Sequence, residues 1–141
     1  MKAFVDTNVL VSAFHTDLAR HEASLALLEK YPQTQICCSA HSMAELYSTL
    51  TRMPPPRRAR PEEAMLFLAD IKSRLTPIAL TPEEYFAAIS EYSAMGVVGG
   101  AIYDALIARC ALKARAEKIF TWNIRHFRQF GPEVEKKLRT P

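Results

Sequence analysis

The sequence is short of several things. Its 141 residues include three cysteines, four glycines, one tryptophan and only four aspartates, Asp6, Asp17, Asp70 and Asp104, among fifteen acids. No apolar run approaches the roughly 20 residues of a membrane-spanning helix, because Asp6, His15, Asp17 and Arg20 interrupt the N-terminal one. The opening Met-Lys-Ala-Phe-Val-Asp puts an acid where a secretory leader would stay apolar, so no signal peptide and a cytoplasmic chain are expected. Cys37 and Cys38 are adjacent, Cys110 stands alone, and no C-x-x-C occurs. Such a set supports neither a disulfide framework nor a structural zinc site. The few glycines form no G-x-x-x-x-G-K-[ST] or G-x-G-x-x-G, which argues against a phosphate loop, and none makes a nucleophile elbow around Ser39 and His41.

A strong excess of one charge is missing too, since 18 Lys plus Arg against 15 Asp plus Glu leave +3. That small sum hides a division. Residues 52–60 carry four arginines and no acid, residues 109–139 carry nine basic residues against three acids, and the remainder has five against twelve. What is present, 49% hydrophobic and 23% charged residues, is the composition of a globular domain. A chain of this length buries roughly 70% of its unfolded surface, enough for one core and one shaped cleft but not for a second unit. Residues 1–141 are therefore expected to form a single domain.

Residues 2–6 read as a short strand that stops at Asp6-Thr7-Asn8, residue types suited to turns and caps. A helix over 9–14 follows, then an amphipathic one that ends before Tyr31-Pro32. Residues 35–38 are an apolar run too short for a helix, hence a second strand, and Ser39 or Ser42 can cap the helix bearing Met43, Leu46, Tyr47 and Leu50. Pro54, Pro55 and Pro56 make the stretch up to residue 61 an Arg-rich, semi-rigid loop. A helix over 61–74, a third strand over 77–80 and a helix from the capping box Thr81-Pro82-Glu83-Glu84 to about residue 94 come next. Past a glycine-bearing joint lie a helix over 102–115, a fourth strand over 118–121 and a short helix over 123–130. Strands separated by helical stretches too long for hairpins imply right-handed crossovers and a parallel sheet covered on both faces, an α/β architecture. Ligands in such sheets sit beyond the carboxyl ends of the strands, where strand order reverses.

Three acids fall at or near those ends. Asp6 closes an apolar strand and reads either as a helix N-cap or as a functional group. Asp104 has Ile107, Ala108 and Ala111 three, four and seven residues on, which places it on an apolar, core-facing stripe with no Lys or Arg within a turn. A lone buried carboxylate costs roughly several kcal/mol unless it is hydrogen-bonded, paired or metal-bound. Glu45 belongs to Ser42-x-x-Glu45, itself a capping-box pattern, but it also lies one turn into the helix after the second strand, on the same side as Asp6. Three carboxylates converging on one edge would repel one another without a cation. Hard oxygen ligands, few in number and leaving room for water, suit Mg²⁺ or Mn²⁺. Such a site supports in-line attack on a phosphodiester.

Taken in order, the strand into Asp6-Thr7-Asn8, Met43-Ala44-Glu45-Leu46, Gly99-Gly100-x-x-x-Asp104-Ala105-Leu106-Ile107-Ala108 and Thr121-Trp122-Asn123 with His126-Phe127 resemble the PIN-domain ribonucleases. Within that family they resemble the VapC-type toxins of bacterial toxin-antitoxin pairs. The resemblance spans essentially the whole chain and implies an α/β/α sandwich around a parallel sheet of four to five strands. It implies that Asp6, Glu45 and Asp104 hold the metal, that Thr7 or Asn8 supports Asp6, and that Thr121 and Asn123 complete the site. It further implies endonucleolytic cleavage of RNA, homodimers, no membrane association, and inhibition by a VapB-type antitoxin that inserts a peptide into the acidic groove and binds operator DNA. Many members have aspartate at the position of Asn123. An amide oxygen can ligate Mg²⁺ or hold its water but brings no charge, which leaves the occupancy of a second metal open.

RNA binding needs cations beside the acids, since phosphate contacts supply most of the affinity. Arg52, Arg57, Arg58 and Arg60 fit an arm gripping a backbone, or else a solvated loop or one that docks an acidic partner. Trp122 either stacks on a base or caps the core, and Arg125 and His126 are further candidates for phosphate contact. Two rivals remain: a non-catalytic binding module, and a haloacid-dehalogenase-type phosphotransferase. The second would need an acid two residues after Asp6, where the chain has Asn8.

Overall fold

The computed structural model describes all 141 residues. The triplet Ala3-Phe4-Val5 is wholly buried and forms β1 (Ala3–Val5), as an apolar run with both faces covered must. With it pair β2 (Ile36–Ser39), β3 (Thr76–Ile78), β4 (Lys118–Phe120) and β5 (Leu138–Arg139), all parallel, in the order β3-β2-β1-β4-β5. Eight helices connect them: α1 (Thr7–Phe14), α2 (His21–Lys30), α3 (Ala40–Arg52), α4 (Pro61–Arg74), α5 (Pro82–Ala94), α6 (Ala101–Lys113), α7 (Ile124–Phe127) and α8 (Pro132–Glu135).

Period-two alternation along the strands sorts the core into two layers. Ala3, Val5, Ile36, Cys38 and Phe120 face a cluster built with α1 to α4, including Leu10, Leu28, Leu46, Leu50 and Ile71. Phe4, Cys37, Ile119 and Leu138 face the opposite cluster, with Tyr92, Ile107, Phe127 and Val134 from α5 to α8. The result is an α/β/α sandwich with five strands. Strand order runs outward in one direction from β1 through β2 to β3 and in the other from β4 to β5, so it reverses between β1 and β4. Across that junction the Asp6 amide donates to the Phe120 carbonyl at 2.9 Å.

Several boundaries differ from the sequence reading, each for a local reason. The first helix begins at Thr7 because Asp6 caps it directly, its backbone extended and its carboxylate accepting from the Thr7 amide. Leu75 caps the C-terminus of α4, and the third strand starts at Thr76 and ends at Ile78 on the sheet edge, where Pro77 and its missing donor are tolerated. Arg115, with φ at +53°, turns the chain out of α6. The fifth strand, two residues long in a charged stretch, is held by its pairing with β4.

Candidate active site

Asp6 sits at the carboxyl end of β1, 4% exposed, and both of its oxygens are engaged. Oδ1 accepts from the Thr7 amide at 2.7 Å and Oδ2 from the Thr121 hydroxyl at 2.8 Å. That hydroxyl also accepts from Asn8 Nδ2 at 3.2 Å and from the Asn123 amide at 3.0 Å. Asn8 Oδ1 in turn accepts from the Trp122 amide at 3.2 Å, so Asn8 bridges the turns after β1 and β4 with both ends of its side chain. Thr7 Oγ1 donates to Glu45 Oε1 at 3.3 Å. Thr7, Asn8 and Thr121 thus form one hydrogen-bonded set with Asp6 and Glu45.

Glu45 stands on α3, which Ser39 caps by accepting from the Ser42 amide at 2.9 Å. The capping role therefore does not use Glu45, and its carboxylate faces the cleft. Asp104 lies in the first turn of α6. The stripe Ile107, Ala108, Ala111 is buried as expected, but Asp104 itself is not: about a third of its side chain is exposed, because the stripe surfaces at the helix start. Its partner is also unexpected. His126 Nε2 lies 2.9 Å from Asp104 Oδ2, with the Gln129 amide nitrogen 2.9 Å from His126 Nδ1. A sequence scan restricted to Lys and Arg on the same helix could not find it; the signal was the one histidine after β4. Asn123 is exposed and lines the cleft with the acids.

Asp6, Glu45, Asp104, Asn123, Thr7 and Asn8 all line one open cleft, together with Val11, Ser12 and Thr49, which the sequence reading did not single out. Burial, reinforced by the charges of Asp104 and Glu45, pushes the Asp6 carboxyl up to about 7 despite its two hydrogen bonds. Burial raises Glu45 as well, with Asp104 adding to it and His41 opposing. A cation in the cleft would relieve both. No three of the His, Cys, Asp and Glu side chains form a ready-made metal cage. That agrees with the way Mg²⁺ is usually held, through one or two carboxylates and several waters. The oxygen-only donor set of Asp6, Asp104, Glu45 and the Asn123 amide therefore fits a hard divalent ion.

The outlying candidates separate. Arg52 ends α3 on the cleft side and makes no ion pair or hydrogen bond within the protein. Arg57 pairs with Asp17 at 2.8 Å, Arg60 with Glu63 at 2.9 Å, and Arg58 donates to the Met53 carbonyl, so these three are engaged locally, away from the acids. All three arginines stay solvent-exposed while making these local contacts. Arg125 is exposed on α7. Of the two readings of Trp122 the structure favours the core cap: its Nε1 donates to Ser24 at 2.9 Å, Arg20 covers its ring at 4.8 Å, and it packs on the α1–α4 core. Burial pushes the Cys37 and Cys38 thiols up to about 12 and Cys110 to about 11, which leaves no reactive thiolate.

The parallel sheet thus gathers three acids in one cleft at its switch point. Comparison with known proteins places the fold: a PIN domain model matches residues 3–131, and the chain belongs to the PIN-domain family. It is 38% identical over 120 residues to Ribonuclease VapC40 of Mycobacterium tuberculosis, covering 85% of each chain. To Ribonuclease VapC27 of the same organism it is 31% identical over 114 residues, covering 80% of this chain and 79% of that one. Among solved structures it superposes on the crystal structure of VapBC2 from Rickettsia felis bound to a DNA fragment from their promoter. That match has a TM-score of 0.68 and 25% identity over 99% of this chain and 98% of that one.

Proposed function

We propose that the protein is a divalent-metal-dependent endoribonuclease and the toxin of a toxin-antitoxin pair. The observation that carries this is the gathering of Asp6, Glu45 and Asp104 in one cleft at the sheet's switch point. The relatives named as VapC ribonucleases support it. Asp6, Asp104 and Glu45 would hold Mg²⁺ or Mn²⁺, with Asn123 offering a neutral oxygen. The ion supplies a lowered pKa for an attacking water and neutralises charge developing on the phosphate. The chain's own groups do the rest. Thr7 and Thr121 fix the Asp6 carboxylate on both oxygens, and His126 fixes Asp104. The Thr7 hydroxyl donates to Glu45 and holds its carboxylate toward the cleft.

The substrate of this reading is single-stranded or looped RNA, with Arg52 a cation in the groove adjoining the cleft. A VapB-type antitoxin as partner rests on the VapBC2 complex among the similar structures, and a homodimer rests on the family resemblance alone. A cytoplasmic location agrees with the finding that no helix is long and apolar enough to cross a membrane. The phosphotransferase alternative loses ground because Asn8 is tied to Thr121 and Trp122 through both ends of its amide and offers no acid. In the deciding experiment, protein freed of any bound partner is incubated with end-labelled RNA. Cleavage should appear with Mg²⁺ or Mn²⁺, vanish in EDTA, and slow at least about a hundredfold in Asp6→Asn and Asp104→Asn. Equal cleavage in EDTA, or unchanged rates in both variants, would reject the mechanism. Binding of RNA without shortening would leave only a binding module.

A further inference from the structure

Next to the acidic cleft lies a second groove that the proposed chemistry does not use. Its floor is one face of α3: His41, Glu45, Ser48, Thr49 and Arg52 recur every three or four residues and so point the same way. Its wall is Tyr103, the residue before Asp104. Glu45 and Thr49 line both depressions, so the two are continuous.

Four features of this groove are those of a nucleotide site. Tyr103 is 56% exposed, so its ring offers free area in a groove continuous with the acidic cleft. The His41 ring lies nearly parallel to it, with centroids 5.9 Å apart and planes 13° apart, so Tyr103 is backed by a stack. Behind both rings is an apolar pocket formed with Ile78, Leu80 and Leu106. At the far end stands Arg52, which makes no ion pair although Glu45 shares its groove, while the loop arginines 57 and 60 pair with Asp17 and Glu63. Trp122, the other aromatic near a strand end, is already occupied by Arg20 and Ser24.

We propose that Tyr103, backed by His41, is a stacking shelf for one unpaired base of the substrate, and that Arg52 takes a phosphate of the same strand. The identity of the ligand as RNA rests on the endoribonuclease reading; the shelf itself rests on the groove. Base-on-aromatic stacking tolerates any base and is worth about 1–3 kcal/mol per base. The shelf therefore selects single-stranded over paired RNA rather than one sequence over another. Because Glu45 and Thr49 line both depressions, a nucleotide on the shelf lies next to the acids.

The test has two independent arms. In the first, an RNA that the protein cuts in Mg²⁺ is resynthesised with one abasic nucleotide at each position around the scissile bond. For the native chain, one abasic position should raise KM about tenfold with kcat little changed. Tyr103→Ala should show that raised KM on the intact RNA and no further loss at the abasic position, while Tyr103→Phe keeps the native pattern. In the second, run in EDTA at low salt, a single-stranded oligoribonucleotide carrying 2-aminopurine should lose fluorescence on binding, through stacking, and keep it with Tyr103→Ala. Absence of cleavage with stacking intact would reject the endoribonuclease reading and leave the shelf standing. Cleavage with an unchanged abasic pattern in Tyr103→Ala, or quenching that survives in it, would overturn the shelf. So would a Tyr103→Ala variant that loses binding to a polyglutamate peptide while its handling of RNA is unaltered.

Discussion

At the residue scale, Thr121 is the quiet member of the site. It is wholly buried and uncharged, yet its hydroxyl donates to Asp6 and accepts from Asn8 and Asn123. Thr121→Val keeps the shape and removes all three bonds. The metal concentration that gives half-maximal cleavage should rise about 10- to 100-fold, the usual consequence of losing a group that orients a ligand. A titration with Mn²⁺ would measure it, and an unchanged midpoint would mean that Asp6 is held by the Thr7 amide alone. The Asp6 carboxyl adds a pH signature. Burial raises it from 3.8 to about 7, so the folded state keeps a proton that the unfolded state loses. Stability from this group is therefore fully present below about pH 4 and is lost as pH rises to about 7, by an amount on the order of 4 kcal/mol. The exposed pairs of Asp17, Glu63, Glu84 and Glu117 shift the other way, but such surface pairs contribute little. His15, whose pKa burial lowers, also opposes the trend, and comparison with Asp6→Asn subtracts it. In EDTA the melting temperature of the native chain relative to Asp6→Asn should fall between pH 5 and pH 8. Mg²⁺ should restore it at pH 8 and do little at pH 5; a flat or rising difference would contradict the assignment. The three acids and Thr121 were legible because strand ends and helix starts mark them. His126 was not, since its meeting with Asp104 depends on where α7 falls against α6.

At the element scale, local chemistry decides most boundaries. The Thr81 box is reciprocal: its hydroxyl accepts from the Glu84 amide at 3.1 Å, and Glu84 accepts from the Thr81 amide at 2.9 Å. Because α5 contributes no residue to the acidic cleft, Thr81→Ala should lower the urea midpoint by the equivalent of about 1 kcal/mol. Its cleavage rate should match the native one, and a loss of activity alone would show that α5 steers the site. The same kind of signal made α3, α4 and α5 readable from Ser39, Pro61 and Pro82. β1, β2 and β4 were readable because burial in the sheet interior demands apolar residues, whereas β3 is a partly exposed edge strand. The fifth, β5, was not. Leu138 and Arg139 have no pattern of their own and become a strand only because β4 presents an unpaired edge. The loop around Pro54 to Pro56 was legible as irregular, but its direction was set by Asp17, an acid more than thirty residues earlier in the chain.

At the scale of the whole molecule, the +3 net charge understates the fields at work. A cleft of three acids abuts Arg52, which makes no ion pair, so RNA affinity should fall as salt rises. Arg52→Ala should lessen the slope of log affinity against log salt by about one, and Arg60→Ala, already paired with Glu63, should leave it unchanged. Anisotropy over a salt series would separate them; equal slopes in both variants would deny Arg52 a phosphate. The order of the strands has one more consequence. β1 lies between β2 and β4, and its acid is completed by a hydroxyl 115 residues further along the chain. During synthesis Asp6 leaves the ribosome early, yet Thr121 and His126 follow only when most of the domain has emerged. A nascent chain thus carries one edge of β1 open and its acids unassembled. Any cutting activity begins after translation of its own message has passed the site's last residues.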